Sequence, residues 1–143
     1  MSALLEIKAI SKKFGDLVAN DGISFTQNQG EVLAILGENG AGKTTLMNIL
    51  FGHYKCDQGE IFFQGFKLPT GKPGIAINAG IGMVHQHFTL AENLTVLENI
   101  IIGEKSLLSL SLPKKSARKK LQELSDKFGL PIDPDTLVTN LSV

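Results

Sequence analysis

Eight consecutive residues in the first third of the chain have the types and spacing of a phosphate-binding loop: Gly37-Glu38-Asn39-Gly40-Ala41-Gly42-Lys43-Thr44. Small residues let successive backbone N–H groups curl around phosphate oxygens, and Lys43 adds a positive charge for the β- and γ-phosphates. The Thr44 hydroxyl can ligate Mg²⁺, and Thr45 continues the same run. The pattern therefore predicts a site for a nucleoside triphosphate and Mg²⁺.

The residues around the loop predict the elements that must position it. Val32–Leu36 is a continuous apolar run, which predicts a strand buried on both faces, as in a parallel sheet. After Lys43 the apolar residues recur at helical spacing as far as Gly52, a plausible helix end. A helix that starts at the loop points the positive end of its dipole at a bound phosphate. A glycine-rich turn that merely joins a strand to a helix is the simpler alternative, and the length and placement of the pattern argue against it.

The N-terminal segment predicts antiparallel strands in a mixed α/β fold. Leu5, Ile7 and Ala9 alternate with their neighbours, which indicates a strand with one buried face. Ile23–Phe25 repeats that pattern, and Phe14-Gly15-Asp16 between the two segments has the composition of a turn.

The remaining sequence predicts two more strands and a helical second half. Ile61–Phe63 indicates a short strand, and Ile81–Val84 indicates a second buried parallel strand, with mostly connecting residues between them. Thr95 is the expected N-cap of a helix, and Pro113 opens a charged, periodic stretch that reaches Phe128.

A second motif narrows the class of nucleotide-binding protein. Gly82-Met83-Val84-His85-Gln86-His87-Phe88 places Gln86 just past the second parallel strand, where ligands collect in open α/β sheets. Together with the loop and the following Thr45-Leu46, this motif resembles the ATP-binding cassette (ABC) family, in which Gln86 corresponds to the Q-loop glutamine. The resemblance implies a P-loop NTPase core with an antiparallel subsheet over about residues 1–92, and the start of a helical subdomain over about 93–143.

The resemblance extends along the whole chain. Lys13-Phe14-Gly15 is similar to the A-loop, whose aromatic ring stacks on adenine, and Gly59-Glu60-Ile61 is similar to a strand segment of the antiparallel subsheet. Asn93–Ile100 resembles the segment that opens the helical subdomain, and Leu141–Val143 resembles the first residues of the LSxGQ signature. Met83–Phe88, followed by the start of that opening segment, is most similar to the ATPases of simple-sugar and nucleoside importers, which usually carry two cassettes in tandem. This chain would belong to the first cassette.

The resemblance also implies roles for single residues. Lys43 and Gln86 would be catalytic, Phe14 and the residues from Gly37 to Thr45 would bind ATP, and Thr44 with Gln86 would hold Mg²⁺. The Walker B carboxylates and the rest of the signature have no match in this sequence. The 143 residues alone are therefore expected to bind nucleotide at best and not to hydrolyse it.

The same resemblance predicts partners and a location. An importer ATPase would contact integral membrane permease subunits and a second cassette, would depend indirectly on an extracytoplasmic solute-binding protein, and would lie peripherally on the cytoplasmic face of the membrane. A soluble ABC ATPase of translation or DNA repair is the alternative. Fourteen basic residues balance fourteen acidic residues, so no overall charge directs the chain to nucleic acid. The single cysteine fits a reducing compartment.

Three further groups of residues invite functional interpretations. His85 and His87 could suggest a metal pair, but no nearby cysteine or histidine completes a set of ligands, so loop polarity is the preferred interpretation. Leu107–Leu112 is too short to span a membrane. The third group is a basic cluster, expected to form a solvated helix face, with contact to lipid headgroups or the permease as the alternative; it comprises Lys114, Lys115, Arg118, Lys119 and Lys120.

Overall fold

The computed structural model describes residues 3–85, 90–104 and 114–141. The chain divides into two compact units, Met1–Val84 and His85–Val143. The described elements are β1 (Leu5–Phe14), β2 (Leu17–Gln27), α1 (Lys43–Phe51), β3 (Gln58–Phe63), β4 (Phe66–Leu68), α2 (Pro73–Asn78), α3 (Val96–Glu104), α4 (Lys114–Phe128) and a 3-10 turn (Val138–Asn140). The mixed α/β class predicted from the sequence is confirmed.

The first unit is built on an antiparallel sheet with the strand order β2-β1-β3-β4. Ile7 in the centre of β1 lies opposite Phe25 on β2 and Ile61 on β3. The buried face of the sheet packs against Leu46 and Ile49 of α1 to form the main apolar core. The predicted antiparallel strands are confirmed.

A bulge in β1 changes which residue faces the core. Ladder register shifts between Ile7 and Ile10, where Ala9 adopts a positive φ of 50°. Ala9 is exposed and Ile10 is completely buried, so the expectation that Ala9 continues the buried face is wrong. A Cβ on Gly59 of the neighbouring strand would lie 2.4 Å from the Ala9 carbonyl oxygen, so the close approach of the backbones at this bulge requires glycine.

Helix α1 begins at Lys43, and Gly52 caps it after Phe51, in agreement with the stop expected from the sequence. The segment predicted to be mostly connection contains the short helix α2, which starts at Pro73 and buries Ala76 against the same core. Proline suits a first helical position because its missing N–H would have no partner there.

The two predicted parallel strands are not formed in this structure. Val32–Leu36 and Ile81–Val84 belong to neither a helix nor a sheet, and Val32, Leu36 and Val84 are 95%, 91% and 85% exposed. A strand exists through hydrogen bonds to a neighbouring strand, and the described residues provide none for these segments. An apolar run predicts what would be buried in a sheet, but it cannot supply the partner that buries it.

The second unit contains α3 and α4, which confirms the predicted helical character. Leu97 and Ile101 of α3 pack with Ala117 of α4 in a small core. Thr95 caps α3 as predicted, while Pro113 and Leu107–Leu112 lie outside the described residues. Within the described ranges, every helix is too short or too polar to cross a bilayer.

Candidate functional site

The phosphate-binding loop meets α1 at Gly42, which precedes the helix in a left-handed conformation with φ 84°. A Cβ at this position would lie 2.0 Å from the carbonyl oxygen of Ala19 on β2. Both the positive φ and the close backbone contact therefore require glycine here. Since Ala19 belongs to the antiparallel sheet, the start of α1 packs directly against β2.

The loop curls around the ammonium group of Lys43. Lys43 Nζ donates hydrogen bonds to the carbonyl oxygens of Gly37 at 2.6 Å and Glu38 at 2.7 Å. The Ala41 N–H donates to the same Glu38 oxygen at 3.2 Å, which closes the turn. The positive charge thus lies within the loop, where the sequence places it, although its partners here are carbonyl oxygens.

The first backbone amides of α1 are available to an anion. Gly42 provides no side-chain cap, and no acidic residue lies in the first turn. The N–H groups of Lys43, Thr44 and Thr45 have no hydrogen-bond acceptor among the described residues, whereas the Leu46 N–H donates to the Gly42 oxygen at 2.9 Å. Free amides and the helix dipole together favour a negatively charged group at this point.

The geometry fits a phosphate group better than it defines a metal site. Thr44 is exposed, so its hydroxyl is accessible to an ion bound beside the loop. In the part of the chain that the structure describes, no three His, Cys, Asp or Glu residues gather as metal ligands. Gln86, His87 and the signature residues Ser142 and Val143 lie outside the described residues, so their predicted roles stay predictions.

Phe14 lies at the end of β1 and is 44% exposed, which leaves part of its ring accessible for stacking. The ring of Tyr54 meets it edge to face, with the centroids 5.5 Å apart, and Lys12 Nζ lies 5.3 Å from its centroid. Leu17, the strand partner of Phe14, is two residues from Ala19 on β2. Phe14 and the loop therefore both adjoin the N-terminal end of β2.

Lys12 and Asp57 brace the strand end that carries Phe14. Lys12 Nζ donates to one Asp57 oxygen at 2.9 Å, and the Lys13 N–H donates to the other at 2.7 Å. These bonds, the Lys12 contact foremost, lower the pKa of Asp57 below its ordinary value. Nothing in the sequence pattern pairs these distant residues, so this brace and Tyr54 were not predicted.

Asn20 is the other residue near the loop that the pattern missed. It is only 5% exposed, and its Nδ2 donates to the Gly42 oxygen at 3.2 Å. Its Oδ1 has no hydrogen-bond partner among the described residues. A buried unpaired acceptor costs about 1–3 kcal/mol. A polar residue within an otherwise strand-like segment was the available signal.

The basic cluster on α4 is solvated, as expected, and is partly paired. Arg118 makes two hydrogen bonds to Asp135, at 2.6 and 2.9 Å, and Lys114 lies 3.6 Å from Glu98. The Arg118 contact lowers the pKa of Asp135 below its ordinary value. Exposed pairs of this kind add little stability.

Comparison with known proteins finds a matching family model and several similar import proteins. A family model described as ABC transporter matches residues 20–143. The nucleoside import ATP-binding protein NupA of Lactococcus lactis is 46% identical over 98% of this chain, and the guanosine import ATP-binding protein NupO of Bacillus subtilis is 45% identical over all of it. The ribose import ATP-binding protein RbsA of Caldanaerobacter subterraneus is 40% identical.

Solved structures give the same result for the fold. A nucleotide-free ATP-binding cassette from an ABC transporter superposes on 99% of this chain with a TM-score of 0.78 and 33% identity. The chain spans 60% of that cassette, and only 28% of the length of NupA and of NupO.

Proposed function

Because the chain belongs to the ABC transporter family, we propose that it binds ATP through the loop from Gly37 to Thr45 and supplies this site to an importer of nucleosides or simple sugars. The observation that carries the proposal is the start of α1. Three backbone amides there have no acceptor among the described residues, and the Lys43 ammonium lies in the loop beside them. That arrangement suits the phosphates of a nucleotide.

Each residue of the loop has a distinct task in this proposal. Lys43, which here donates to the carbonyl oxygens of Gly37 and Glu38, would supply the charge for the β- and γ-phosphates, and the α1 amides would donate to phosphate oxygens. Thr44 offers its hydroxyl to Mg²⁺, and Gln86 is proposed to join it and to orient the attacking water. The ion, when bound, neutralises phosphate charge.

Phe14 is proposed to recognise the base. Its accessible ring would stack on adenine, while Tyr54 and Lys12 hold the ring in place from the edge and from one face. Stacking of this kind needs an aromatic face and no hydrogen bond, so the contact selects for a planar base more than for adenine in particular.

The importer assignment rests on the relatives, which are named as import proteins for nucleosides, guanosine and ribose. They give no support to the alternative of a soluble ATPase in translation or DNA repair. We infer that the partners are permease subunits on the cytoplasmic face of the membrane, with a solute-binding protein acting through them, and a second cassette that faces this loop. Of the two solute classes we propose nucleosides first, because the nucleoside importers share more identical residues with the chain than the ribose importer does.

The test compares ATP binding by the parent and by Lys43→Ala, both in the longest form that the gene encodes. Loss of the ammonium should weaken ATP binding by at least about tenfold, because charge-assisted bonds to two phosphates are lost. Lys55→Ala, which removes a lysine beyond the end of α1, is the matched control and should bind normally. Equal binding by the parent and Lys43→Ala would exclude this loop as the nucleotide site.

A second measurement concerns turnover. The 143-residue chain should release no phosphate from Mg²⁺-ATP above the rate of its own Lys43→Ala variant, since the chain has no match to the Walker B carboxylates that orient water. Turnover above that control would reveal a catalytic group that the proposal lacks.

A further inference from the structure

Asn20 has a side chain whose chemistry does not suit its surroundings. It lies on β2 with 5% of its surface exposed, and its Oδ1 has no hydrogen-bond partner in the described part of the chain. A buried amide with an unpaired acceptor makes a fold less stable than a well-packed apolar side chain would. Stability therefore does not explain an asparagine at this position.

Among the described residues, the Asn20 side chain makes one hydrogen bond, and it goes to the phosphate-binding loop. Its Nδ2 donates to the carbonyl oxygen of Gly42 at 3.2 Å, and that oxygen also accepts the Leu46 N–H at 2.9 Å. The adjacent Ala19 carbonyl lies so close to Gly42 that a Cβ there would be 2.0 Å away. Two consecutive residues of β2 thus lie against Gly42: the Ala19 carbonyl packs closely on it, and the Asn20 side chain donates a hydrogen bond to it.

Together with the bond from the Leu46 N–H, this bond fixes the direction of the peptide unit whose amide faces the proposed ligand. The Gly42 carbonyl and the Lys43 N–H belong to one planar peptide unit and point in opposite directions. When Asn20 holds the oxygen on the side of the sheet, the Lys43 N–H is turned away from the sheet. That N–H is one of the three amides without an acceptor among the described residues.

We propose that Asn20 is a positioning residue of the phosphate site, which fixes the Gly42–Lys43 peptide so that the Lys43 N–H is already aimed at a phosphate oxygen. The inference rests on the proposed function, in which the loop binds ATP. Asn20 acts through the loop and touches no nucleotide. The Oδ1 atom, which has no partner among the described residues, lowers the stability of the fold, while the Nδ2 atom orients the loop.

The test separates stability from binding. Asn20→Leu fills a similar volume and removes both the donor and the unpaired acceptor, so its melting temperature should equal or exceed that of the parent. Its Kd for ATP and for ADP should nevertheless rise about fivefold to tenfold, the loss of one hydrogen bond's contribution to a preset site. Asn20→Asp keeps the shape, loses the donor and should weaken binding at least as much, with a lower melting temperature.

The matched control is Gln27→Leu, which removes an amide of the same strand that donates to the Glu31 oxygen at 2.9 Å. It should leave the Kd for ATP unchanged. If Asn20→Leu does not fold, Asn20→Ala takes the same two measurements. All variants are made in the longest form that the gene encodes and are measured beside the parent and Lys43→Ala.

The outcomes are distinct. Weaker binding at an unchanged or higher melting temperature supports the inference. A parallel fall of melting temperature and affinity in Asn20→Leu or Asn20→Ala would reveal an ordinary structural asparagine, and a Kd within about twofold of the parent would overturn the inference while the proposed function stands. Failure of the parent itself to bind ATP would overturn both.

Discussion

The two helices α1 and α3 begin in opposite ways. At the start of α3, Thr95 and Glu98 form a capping box, in which the Thr95 hydroxyl accepts the Glu98 N–H at 3.2 Å and Glu98 Oε2 accepts the Thr95 N–H at 3.1 Å. The Val96 and Leu97 amides donate to the carbonyl oxygens of Thr136 and Pro134. At the start of α1, glycine replaces the cap and the corresponding amides have no acceptor among the described residues.

The α3 start is closed by groups of the chain itself, whereas the α1 start keeps its amides available, as the proposed function requires. In α3 the protein satisfies its own amides and places a carboxylate at the positive end of the dipole. In α1 it leaves those amides open and supplies a lysine. Substitutions at the start of α1 should therefore change ATP affinity, whereas substitutions at the start of α3 should change stability.

The largest expected effect is that of Gly42→Ala. Positive φ costs an alanine about 1–2 kcal/mol, and the new Cβ would in addition collide with the Ala19 carbonyl, so ATP affinity should fall by more than about tenfold. Calorimetric titration with ATP measures it. Gly65→Ala is the control, because Gly65 also has positive φ but its Cβ would meet nothing within 4 Å; ATP affinity that survives Gly42→Ala as well as Gly65→Ala would contradict the steric argument.

The next effect tests whether the region of α1 recognises more than phosphate. Phe14→Ala should raise the Kd for ATP about fivefold, because stacking contributes about 1 kcal/mol, while Phe14→Tyr should keep the parent's affinity. Phe66→Ala, which removes an exposed ring from β4, is the control. Equal weakening by alanine and tyrosine at position 14 would show that Phe14 serves packing.

A comparable change at the other helix should leave ATP binding untouched. Thr95→Ala removes the cap of α3 and should lower the free energy of unfolding by about 1 kcal/mol. Thr95→Ser retains the hydroxyl and should restore most of the loss. Urea denaturation followed by circular dichroism gives the free energies, and a Thr95→Ala variant as stable as the parent would mean that the cap is dispensable.

The smallest effect is a pH dependence of the same cap. Hydrogen bonds from the Thr95 N–H and hydroxyl, with Lys114 nearby, lower the pKa of Glu98 below its ordinary value. A lowered folded-state pKa means that the carboxylate stabilises the fold above about pH 4.3 and that this contribution is lost as the pH falls through the folded value. Glu98→Gln should therefore melt below the parent at pH 7, with the gap closing in acid. A gap that stays constant down to pH 3 would contradict this origin.

Local chemistry was predictable from the sequence wherever neighbours in the chain determine it. The limits of α1 and the Thr95 cap follow from residues a few positions apart, and the structure agrees with both. The bulge that exposes Ala9 was not predictable, because it depends on the backbone of β3 approaching at Gly59. A local sequence pattern does not show which distant strands pair with each other.

The same limit explains the remaining differences. Val32–Leu36 has the composition of a buried strand, but its own sequence does not identify the strand it would pair with. The described residues contain no strand paired with this segment. Asn20 was passed over because its contact, Gly42, lies on another element. Site residues that act through a second residue carry no motif of their own.

The closed start of α3 has a consequence for synthesis on the ribosome. Its acceptors at Pro134 and Thr136 are translated after α4, so this helix start remains incomplete until nearly all of the chain described here has been made. The sheet, by contrast, has all four strands once Leu68 has emerged. Because synthesis proceeds from the N-terminus and compact units fold as they emerge, the nascent chain should hold an ordered sheet before the acceptors of the α3 amides have been made.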